Sequence, residues 1–362
     1  MKKKVAIVSP SLSNGGAQRV ASLLSKIFSN LGYQPHFITI YNKVRFDYEG
    51  THYSLNLKKF SWRNPIALLG AFYVMRKYLK RNKFDFVIDL RSRMRFLPEL
   101  LICLFVFPLN KTIFTFHLPL LHNYIPKPLF VFNPLYNKAF ACVAVSNEIK
   151  KILIENGINN VNVVYNPVDF LKIKKQASLK LDFQFKYIIG SGRMDDNIKQ
   201  FDHLIDAYSN SDLPMNDIHL IILGDGRIKD KLSSTSKAKK CSQKIHFLGF
   251  VDNPYVYYKN AEFFVLSSLF EGFPMVLIES LGCGTPVIAY NCPTGPSEII
   301  RNEYNGLLVK PNSVENLSEA ITRMFKDEKL YKECKENSSQ SLKYLSMENI
   351  SKKWFDILNK KT

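Results

Sequence analysis

Short apolar runs and longer amphipathic segments alternate along the chain. The apolar runs at 5–8, 263–266 and 287–290 predict strands buried on both faces of a sheet. Between such runs lie segments with apolar residues at helical spacing, of which 17–28 is an example. Strands that alternate with helices are typical of parallel αβ sheets, and 362 residues are enough for two domains with separate cores. The pattern therefore predicts an α/β protein with two doubly wound domains.

The stretch from Ala261 to Gly306 predicts a buried strand, a loop, a helix and a second buried strand. Polar residues 267–268 end the first strand, and residues 271–273 form a bend. Pro274 is predicted as the first helical residue, because the missing N–H of proline costs nothing there. The helix would then start at the carboxyl end of a strand, which is where parallel sheets bind ligands.

Two carboxylates flank this predicted helix start. The free N–H groups of Met275 and Val276 and the helix dipole favour a phosphate at this point. Glu271 lies just before the helix, and Glu279 lies one turn above Met275, where its two oxygens can accept hydrogen bonds from a vicinal diol. A phosphate beside a diol-binding carboxylate suggests a nucleotide sugar.

Two further loops follow predicted strands. Gly15 and Gly16 permit a tight turn and a close approach to a ligand, but the GxGxxG spacing of a dinucleotide-binding loop is absent. In the second half, Arg193 and Lys199 follow a Gly-Ser-Gly loop, and Lys199 is predicted to begin an amphipathic helix. From the loop and the helix start, the two cations can reach one pocket together, which indicates phosphate binding. The neighbouring aspartates at 195–196 suggest a metal, but the two cations and a helix dipole already meet a diphosphate's charge, so no metal is required.

The pair Glu271 and Glu279, with a Gly-Phe-Pro bend between them, resembles the motif of retaining glycosyltransferase family 4, which has the GT-B fold. Residues 15–19 resemble the first loop of that family, although Gln18 stands where Glu is common. The resemblance implies two Rossmann-like domains that face each other across a cleft. The expected divisions are an acceptor-binding domain at 1–170, a linker at 171–186, a nucleotide-sugar-binding domain at 187–345 and a helix at 346–362 that crosses back to the first domain.

The same resemblance implies roles for individual residues. Glu271 would contact the transferred sugar, Glu279 would hold the ribose hydroxyls, and the family's basic pair would neutralise the leaving diphosphate. It also implies a position near the sugar for His117, which directly follows the predicted strand at 111–116. The catalytic candidates are His117, Arg193, Lys199 and Glu271. The candidates for donor binding are Gly15, Gly16, Arg193, Lys199, Glu271, Gly272, Phe273, Pro274, Met275, Val276 and Glu279.

Basic residues are concentrated in the first half of the chain. Residues 1–165 carry 23 Lys and Arg against 7 Asp and Glu, a net charge of +16, whereas residues 166–362 carry 27 against 24. This asymmetry favours a polyanion or an anionic membrane surface as partner. No zinc-ligand spacing, RNP motif or recognition helix indicates nucleic acid, so we expect no nucleic-acid partner.

Two segments of the first half are candidates for membrane contact. Residues 58–83 predict a basic amphipathic helix, which either packs on its own sheet or lies on an anionic membrane. Arg91, Arg93 and Arg95 precede a mostly apolar run at 96–109. That run is predicted to be either core or an interfacial segment whose arginines contact lipid phosphates.

Cysteine usage and hydropathy indicate the compartment. The six cysteines are scattered without a CxxC pair, as in a reduced cytosolic protein. The opening Met-Lys-Lys-Lys is followed by too few apolar residues for a signal peptide, and no stretch is long enough to span a bilayer. We expect a cytoplasmic protein, peripheral at the inner face of the plasma membrane.

The resemblance, together with the candidate site residues, implies a retaining glycosyltransferase without a metal cofactor. It would move a hexose or N-acetylhexosamine from a UDP-sugar to a polyprenyl-diphosphate-linked saccharide in lipopolysaccharide or capsule synthesis. The resemblance implies front-face substitution, since no side chain is an obvious nucleophile. Two alternatives stay open, namely a sugar-nucleotide epimerase of the same fold and a non-catalytic protein that binds a polyanion or a membrane.

Overall fold

The chain folds into two compact units, each built around its own parallel sheet. The first unit is Met1–Pro167 with Met347–Thr362, and the second is Val168–Ser346. This computed structural model describes residues 2–13, 15–57, 64–181 and 183–360. The predicted fold class is confirmed, because both sheets are parallel and alternate with helices.

The first sheet has seven parallel strands in the order β3-β2-β1-β4-β5-β6-β7. Its central strands are buried along almost their whole length because both faces are covered by helices. The strands are β1 (Lys4–Ser9), β2 (Gln34–Thr39), β3 (Thr51–Ser54), β4 (Phe86–Asp89), β5 (Thr112–Phe116), β6 (Ala141–Ala144) and β7 (Val161–Val163).

Within the described ranges of the first unit, five α-helices connect these strands. Asn64 caps the second helix by accepting from the N–H groups of Ile66 and Ala67, and the third continues directly into a π-helix at Ile102–Val106. Residues 58–63, the start of the predicted basic segment, lie outside the described residues. The helices are α1 (Gly16–Asn30), α2 (Pro65–Asn82), α3 (Phe96–Leu101), α4 (Leu129–Asn137) and α5 (Asn147–Glu155).

The second sheet has six parallel strands in the order β10-β9-β8-β11-β12-β13. The strands are β8 (Tyr187–Ser191), β9 (His219–Leu223), β10 (Ile245–Gly249), β11 (Phe264–Leu266), β12 (Val287–Tyr290) and β13 (Gly306–Val309). The helices of this unit are α6 (Phe170–Ala177), α7 (Phe201–Asn210), α8 (Lys229–Lys237), α9 (Tyr255–Asn260), α10 (Met275–Gly282), α11 (Pro296–Ile299), α12 (Val314–Lys326) and α13 (Glu328–Asn337).

The last helix, α14 (Met347–Leu358), belongs to the first unit. Its Trp354 packs edge to face on Phe28 of α1, with ring centroids 5.3 Å apart. The range 171–186, for which we expected a linker, contains most of α6, which belongs to the second unit. In the part of the chain that the structure describes, every helix is too short or too polar to cross a bilayer.

Two predicted helix starts were wrong by one or two residues. Lys199 lies in a 3₁₀ turn at Asn197–Lys199, and α7 begins only at Phe201. The interruption arises because Gln200 adopts the left-handed conformation, with φ of 44°. Pro274 is the residue before α10 rather than its first residue, because its ψ of 105° is extended.

Of the two alternatives left open for this segment, contact of Arg91 and Arg93 with lipid phosphates is wrong, because both residues are buried within the first unit. Arg91 and Arg93 are 5% and 2% exposed. They pair with Asp89 at the end of β4, at 2.8 Å and 3.4 Å, and Arg91 also pairs with Glu99 of α3 at 3.3 Å. Because a buried carboxylate needs a counterion, the two arginines point into the protein rather than towards a membrane.

Candidate active site

The carboxyl edge of the second sheet brings together the loops that follow β8, β9, β11 and β12. The β8 and β9 loops are in close contact, since the N–H of Met194 donates to Asp225 and the N–H of Ile228 donates to Met194. Gly224 has φ of 130°, and a Cβ there would overlap the carbonyl oxygen of Gly192. Glycine is therefore required at this position for the two loops to meet.

A largely buried ion pair lies at this edge. Lys199 Nζ donates to Glu271 Oε1, and Ser268 Oγ donates to the same oxygen at 2.7 Å. The turn that carries Lys199 is fixed to the end of β11, because Ser267 Oγ lies 2.8 Å and 2.9 Å from the carbonyl oxygens of Lys199 and Gln200. The side chains of Lys199 and Glu271 are only 20% and 10% exposed, so their mutual attraction is weakly screened.

Helix α10 begins beside this pair. Met275 and Val276 are its first two residues, so their N–H groups have no acceptor within the helix. Glu279 lies one turn further on and is 3% exposed, rather than solvated as an ordinary helix glutamate would be. Phe273 is 4% exposed and belongs to the core, so only its backbone is suited to meet a ligand.

The loop after β12 holds the bend before α10. Thr294 Oγ1 donates to the carbonyl oxygen of Glu271. Gly295 has φ of 94°, and a Cβ there would lie 2.6 Å from Pro274 Cδ and 2.9 Å from the Gly272 carbonyl oxygen. Glu271, Gly272 and Pro274 are therefore fixed from two sides.

A third cation at this edge was missed in the sequence. Arg227 Nη2 donates to the carbonyl oxygen of Asp195 at 3.0 Å, and Arg193 Nη1 lies 3.8 Å from Asp195 Oδ2. Arg193 is 74% exposed at its side chain, so it is free to turn towards a ligand. Arg227 follows β9 through Asp225 and Gly226, and this position after a buried strand was a sequence feature that could have revealed it.

The aspartates at 195–196 have partners in the protein. Asp195 faces Arg193, and Asp196 Oδ1 accepts from the N–H of Ile198 at 3.1 Å. Within the described ranges, no group of three or more His, Cys, Asp or Glu residues has the arrangement of a metal site.

His117 lies in the first unit, immediately after β5, where the sequence had put it. Its Nε2 is 2.9 Å from Thr115 Oγ1. Burial, followed by the positive charge of Arg93, lowers the pKa of His117 to about 3. The ring is therefore uncharged near neutral pH and cannot act there as a general acid.

Gly15 and Gly16 lie at the carboxyl end of β1, also in the first unit. Gly15 precedes α1 with φ of 106°, a conformation that L side chains rarely adopt, and Gly16 is the first helical residue. A Cβ on Gly15 would lie 2.6 Å from Gln18 Oε1. Each candidate residue thus lies at the carboxyl edge of one of the two sheets, Gly15, Gly16 and His117 in the first unit and the others in the second.

Two family models match the chain and together cover most of it. Residues 14–170 match the model described as Glycosyltransferase Family 4, and residues 172–341 match the model described as Glycosyl transferases group 1. The chain is a glycosyltransferase. The predicted family is thus confirmed, and the two matches meet near the division between the two units of this glycosyltransferase.

Two bacterial relatives of this glycosyltransferase match it over almost their whole length. A Campylobacter jejuni protein named N-acetylgalactosamine-N,N'-diacetylbacillosaminyl-diphospho-undecaprenol 4-alpha-N-acetylgalactosaminyltransferase is 29% identical, over 97% of this chain and 98% of its own. The amylovoran biosynthesis glycosyltransferase AmsD of Erwinia amylovora is 28% identical, over 98% and 99%. Among solved structures, Anabaena HepE in complex with UDP has a TM-score of 0.77 at 16% identity and covers 100% of both chains. The likeness to HepE shows the GT-B fold.

Proposed function

We propose that this glycosyltransferase moves a hexosyl or N-acetylhexosaminyl group from a UDP-sugar to a lipid-linked saccharide, with retention of configuration at the anomeric carbon. The observation that carries the proposal is the Lys199–Glu271 pair at the start of α10. A cation, free helix amides and two carboxylates there match the diphosphate and the hydroxyls of a nucleotide sugar. The choice of UDP is supported by HepE, which was solved with UDP bound.

The charges at this edge suit a departing diphosphate. Negative charge grows on the β-phosphate as the bond to the anomeric carbon lengthens. Lys199, Arg193 and Arg227, together with the N–H groups at the start of α10, would stabilise that charge. We therefore propose that the reaction needs no resident metal, and that EDTA leaves the rate unchanged.

Retention follows in this proposal from attack on the face that the diphosphate leaves. The acceptor oxygen forms a bond to the anomeric carbon while the bond to the phosphate oxygen breaks, and the acceptor proton passes to that phosphate oxygen. Glu271 would accept hydrogen bonds from sugar hydroxyls, and Lys199 would keep its carboxylate in position. Glu279 would hold the ribose hydroxyls.

Slow hydrolysis of a panel of UDP- and GDP-sugars tests the donor site without knowledge of the acceptor. We expect hydrolysis of one or two UDP-sugars, and Lys199→Ala should lower the rate by about 100- to 1000-fold, the usual loss for a group that stabilises transition-state charge. Lys186→Ala is the matched control, since Lys186 is 74% exposed and 3.6 Å from Glu262.

Two outcomes would overturn the donor proposal. Interconversion of sugar nucleotides without an acceptor would identify an epimerase instead. Failure to bind any UDP-sugar would identify a non-catalytic binding protein. In that case Glu279→Gln should leave the protein's binding to a polyanion or a membrane unchanged.

We further propose that the acceptor is a polyprenyl-diphosphate-linked saccharide at the inner face of the plasma membrane, in the synthesis of lipopolysaccharide or capsule. The support is the name of the Campylobacter jejuni relative, which specifies a diphospho-undecaprenol-linked acceptor. The excess positive charge of residues 1–165 also suits a lipid diphosphate or an anionic bilayer.

The surface of the first unit supports the membrane part of this proposal. Helix α2 buries Leu68, Phe72, Met75 and Leu79, yet its other side leaves Leu69 and Tyr73 54% and 66% exposed. Arg76 of α2 donates to the carbonyl oxygen of Phe105 in the π-helix, and Phe105 is itself 56% exposed. Exposed apolar side chains beside the exposed cations Lys77, Lys80 and Arg81 suit an anionic lipid interface.

Sedimentation with vesicles that contain anionic lipid tests this surface. Leu69→Gln combined with Phe105→Gln should weaken binding by about tenfold or more, because each removes apolar area from the interface. Leu171→Gln combined with Met215→Gln is the matched control, since these residues are 83% and 81% exposed in the second unit. Equal binding by both variants would overturn the membrane proposal.

A further inference from the structure

The hydroxyl of Thr115 lies between a carbonyl oxygen and the ring of His117. Thr115 Oγ1 is 2.9 Å from the carbonyl oxygen of Asp89 and 2.9 Å from His117 Nε2. Both Thr115 and Asp89 are buried. A threonine hydroxyl has one proton to donate, so it cannot donate to both neighbours.

The carbonyl oxygen decides which way the hydroxyl proton points. If Thr115 donated to His117, its lone pairs would face those of the Asp89 carbonyl oxygen at 2.9 Å, which is repulsive. Each of the two 2.9 Å contacts needs one proton between its atoms. This requires Thr115 to donate to the carbonyl oxygen of Asp89. His117 Nε2 must then carry a hydrogen and donate it to Thr115 Oγ1. Because the ring is uncharged near neutral pH, its other nitrogen, Nδ1, carries no hydrogen.

The groups that hold this arrangement come from the buried arginine cluster. Arg93 Nη2 donates to the carbonyl oxygen of Thr115 at 3.1 Å, and Arg93 Nη1 lies 3.4 Å from that of Asp89. Arg93 Nε donates to the carbonyl oxygen of Tyr124, whose hydroxyl has a backbone hydrogen bond with His117. One guanidinium group thus binds the carbonyl oxygens of Asp89 and Thr115 directly, and it is linked to the backbone of His117 through Tyr124.

We propose that Thr115 is a positioning residue that fixes His117 as the Nε2–H tautomer, so that the ring offers Nδ1 as an acceptor for a substrate hydroxyl. The tautomer itself follows from the contacts within the first unit. The part played by Nδ1 rests on the proposed glycosyl transfer. In this account, His117 orients the substrate and neither donates nor removes a proton during the reaction.

Nitrogen NMR of protein labelled with ¹⁵N-histidine tests the tautomer directly. The His117 signals are identified by their loss in His117→Gln, and we expect Nε2 to appear as the protonated nitrogen and Nδ1 as the unprotonated one. Thr115→Val should let the other tautomer appear, whereas Thr115→Ser keeps the hydroxyl and should restore the wild-type pattern. A protonated Nδ1 in the wild type, or an unchanged pattern in Thr115→Val, would overturn the proposal.

Two isosteric variants test the role of Nδ1. An asparagine amide oxygen can take the place of Nδ1, while a glutamine amide nitrogen can take the place of Nε2. We expect His117→Asn to keep a kcat/KM about tenfold above that of His117→Gln, which is roughly the contribution of one hydrogen bond to a neutral group. Equal values would show that Nδ1 accepts nothing from the substrate.

The two measurements also separate the failure of this inference from that of the proposed function. A wild-type enzyme that turns over no nucleotide sugar would refute the proposed function, and the NMR pattern would still decide the tautomer.

Discussion

Replacing Arg93 by methionine should destabilise the first unit severely. Arg93 lies in a buried cluster of the first unit with Asp89, Arg91 and Glu99, and the formal charges of these four side chains sum to zero. Arg93 makes five hydrogen bonds through its guanidinium group, and it lies 4.9 Å from the centroid of Phe116. Methionine is similar in length to the aliphatic part of the arginine side chain, but it leaves one negative charge of the cluster without its counterion. Removing one partner of a buried ion pair costs about 3–5 kcal/mol, a large part of the roughly 5–15 kcal/mol of a typical protein.

Urea unfolding followed by the fluorescence of Trp354 measures this loss. Trp354 is 2% exposed and belongs to the first unit, and the second tryptophan, Trp62, is replaced by phenylalanine in every variant. Arg81→Met is the matched control. Arg81 is exposed in the last turn of α2, so its loss should change the free energy of unfolding by no more than about 0.5 kcal/mol.

The loss from Arg93→Met should also depend on pH. Burial raises the pKa of Glu99, and the charges of Arg91 and Arg93 oppose that rise. Without Arg93, the pKa of Glu99 rises further. When the pKa of a carboxyl group is higher in the folded state than in the unfolded state, the free energy of unfolding falls as the pH rises from the lower pKa to the higher one. We therefore expect a smaller loss near pH 5 than near pH 7. A loss no larger than that of Arg81→Met, or the same loss at both pH values, would refute this account of the cluster.

Four further predictions concern the second unit and the thiols. Arg193→Ala and Arg227→Ala should each lower kcat by about tenfold or more, and a double variant whose loss merely equals one of the single losses would show that only one cation meets the diphosphate. Glu279→Ala should weaken binding of UDP but not of 2′,3′-dideoxy-UDP, and equal weakening of both would exclude a contact with the ribose hydroxyls. Gly224→Ala should lower the free energy of unfolding by about 2–3 kcal/mol, because a Cβ there would overlap Gly192. Gly70 in α2 has no such neighbour, so Gly70→Ala should raise the free energy of unfolding by about 0.5–1 kcal/mol. Thermal unfolding of the two variants measures both changes. Burial raises the pKa of the Cys142, Cys292 and Cys334 thiols to about 12, so a thiol reagent near pH 8 should label them far more slowly in the native enzyme than in urea, and equal rates would contradict their burial.

Local features of the sequence were enough to predict the elements that carry the second-unit site. The apolar run at 287–290 became β12 with the same bounds. The free amides at Met275 and Val276 were predictable because α10 starts directly after Pro274. A proline at the start of a helix is a signal that depends on neighbouring residues only. The same is true of His117, which follows β5 as expected.

Sequence reasoning failed where the burial of a charge depended on distant partners. Contact of Arg91 and Arg93 with lipid was left open as an alternative to burial. The chain near them does not show that Arg93 donates to the carbonyl oxygens of Thr115 and Tyr124, which lie 22 and 31 residues further along. The left-handed Gln200, which delays α7, was likewise not visible in local propensities. Its carbonyl oxygen is held by Ser267, 67 residues further along the chain.

By itself, the sequence determined the fold class, the order of strands and helices, the glycosyltransferase family and the residues at the carboxyl edges of the sheets. These features follow from the spacing of apolar residues and from short motifs, and both depend only on residues that are close together in the chain. Only the tertiary structure decided that Lys199 pairs with Glu271, that Arg227 and Arg193 both lie beside Asp195, and that the Thr115 hydroxyl lies between the Asp89 carbonyl oxygen and His117. Such pairings depend on which loops meet at a sheet edge, and hydrogen-bond direction depends on every atom within reach.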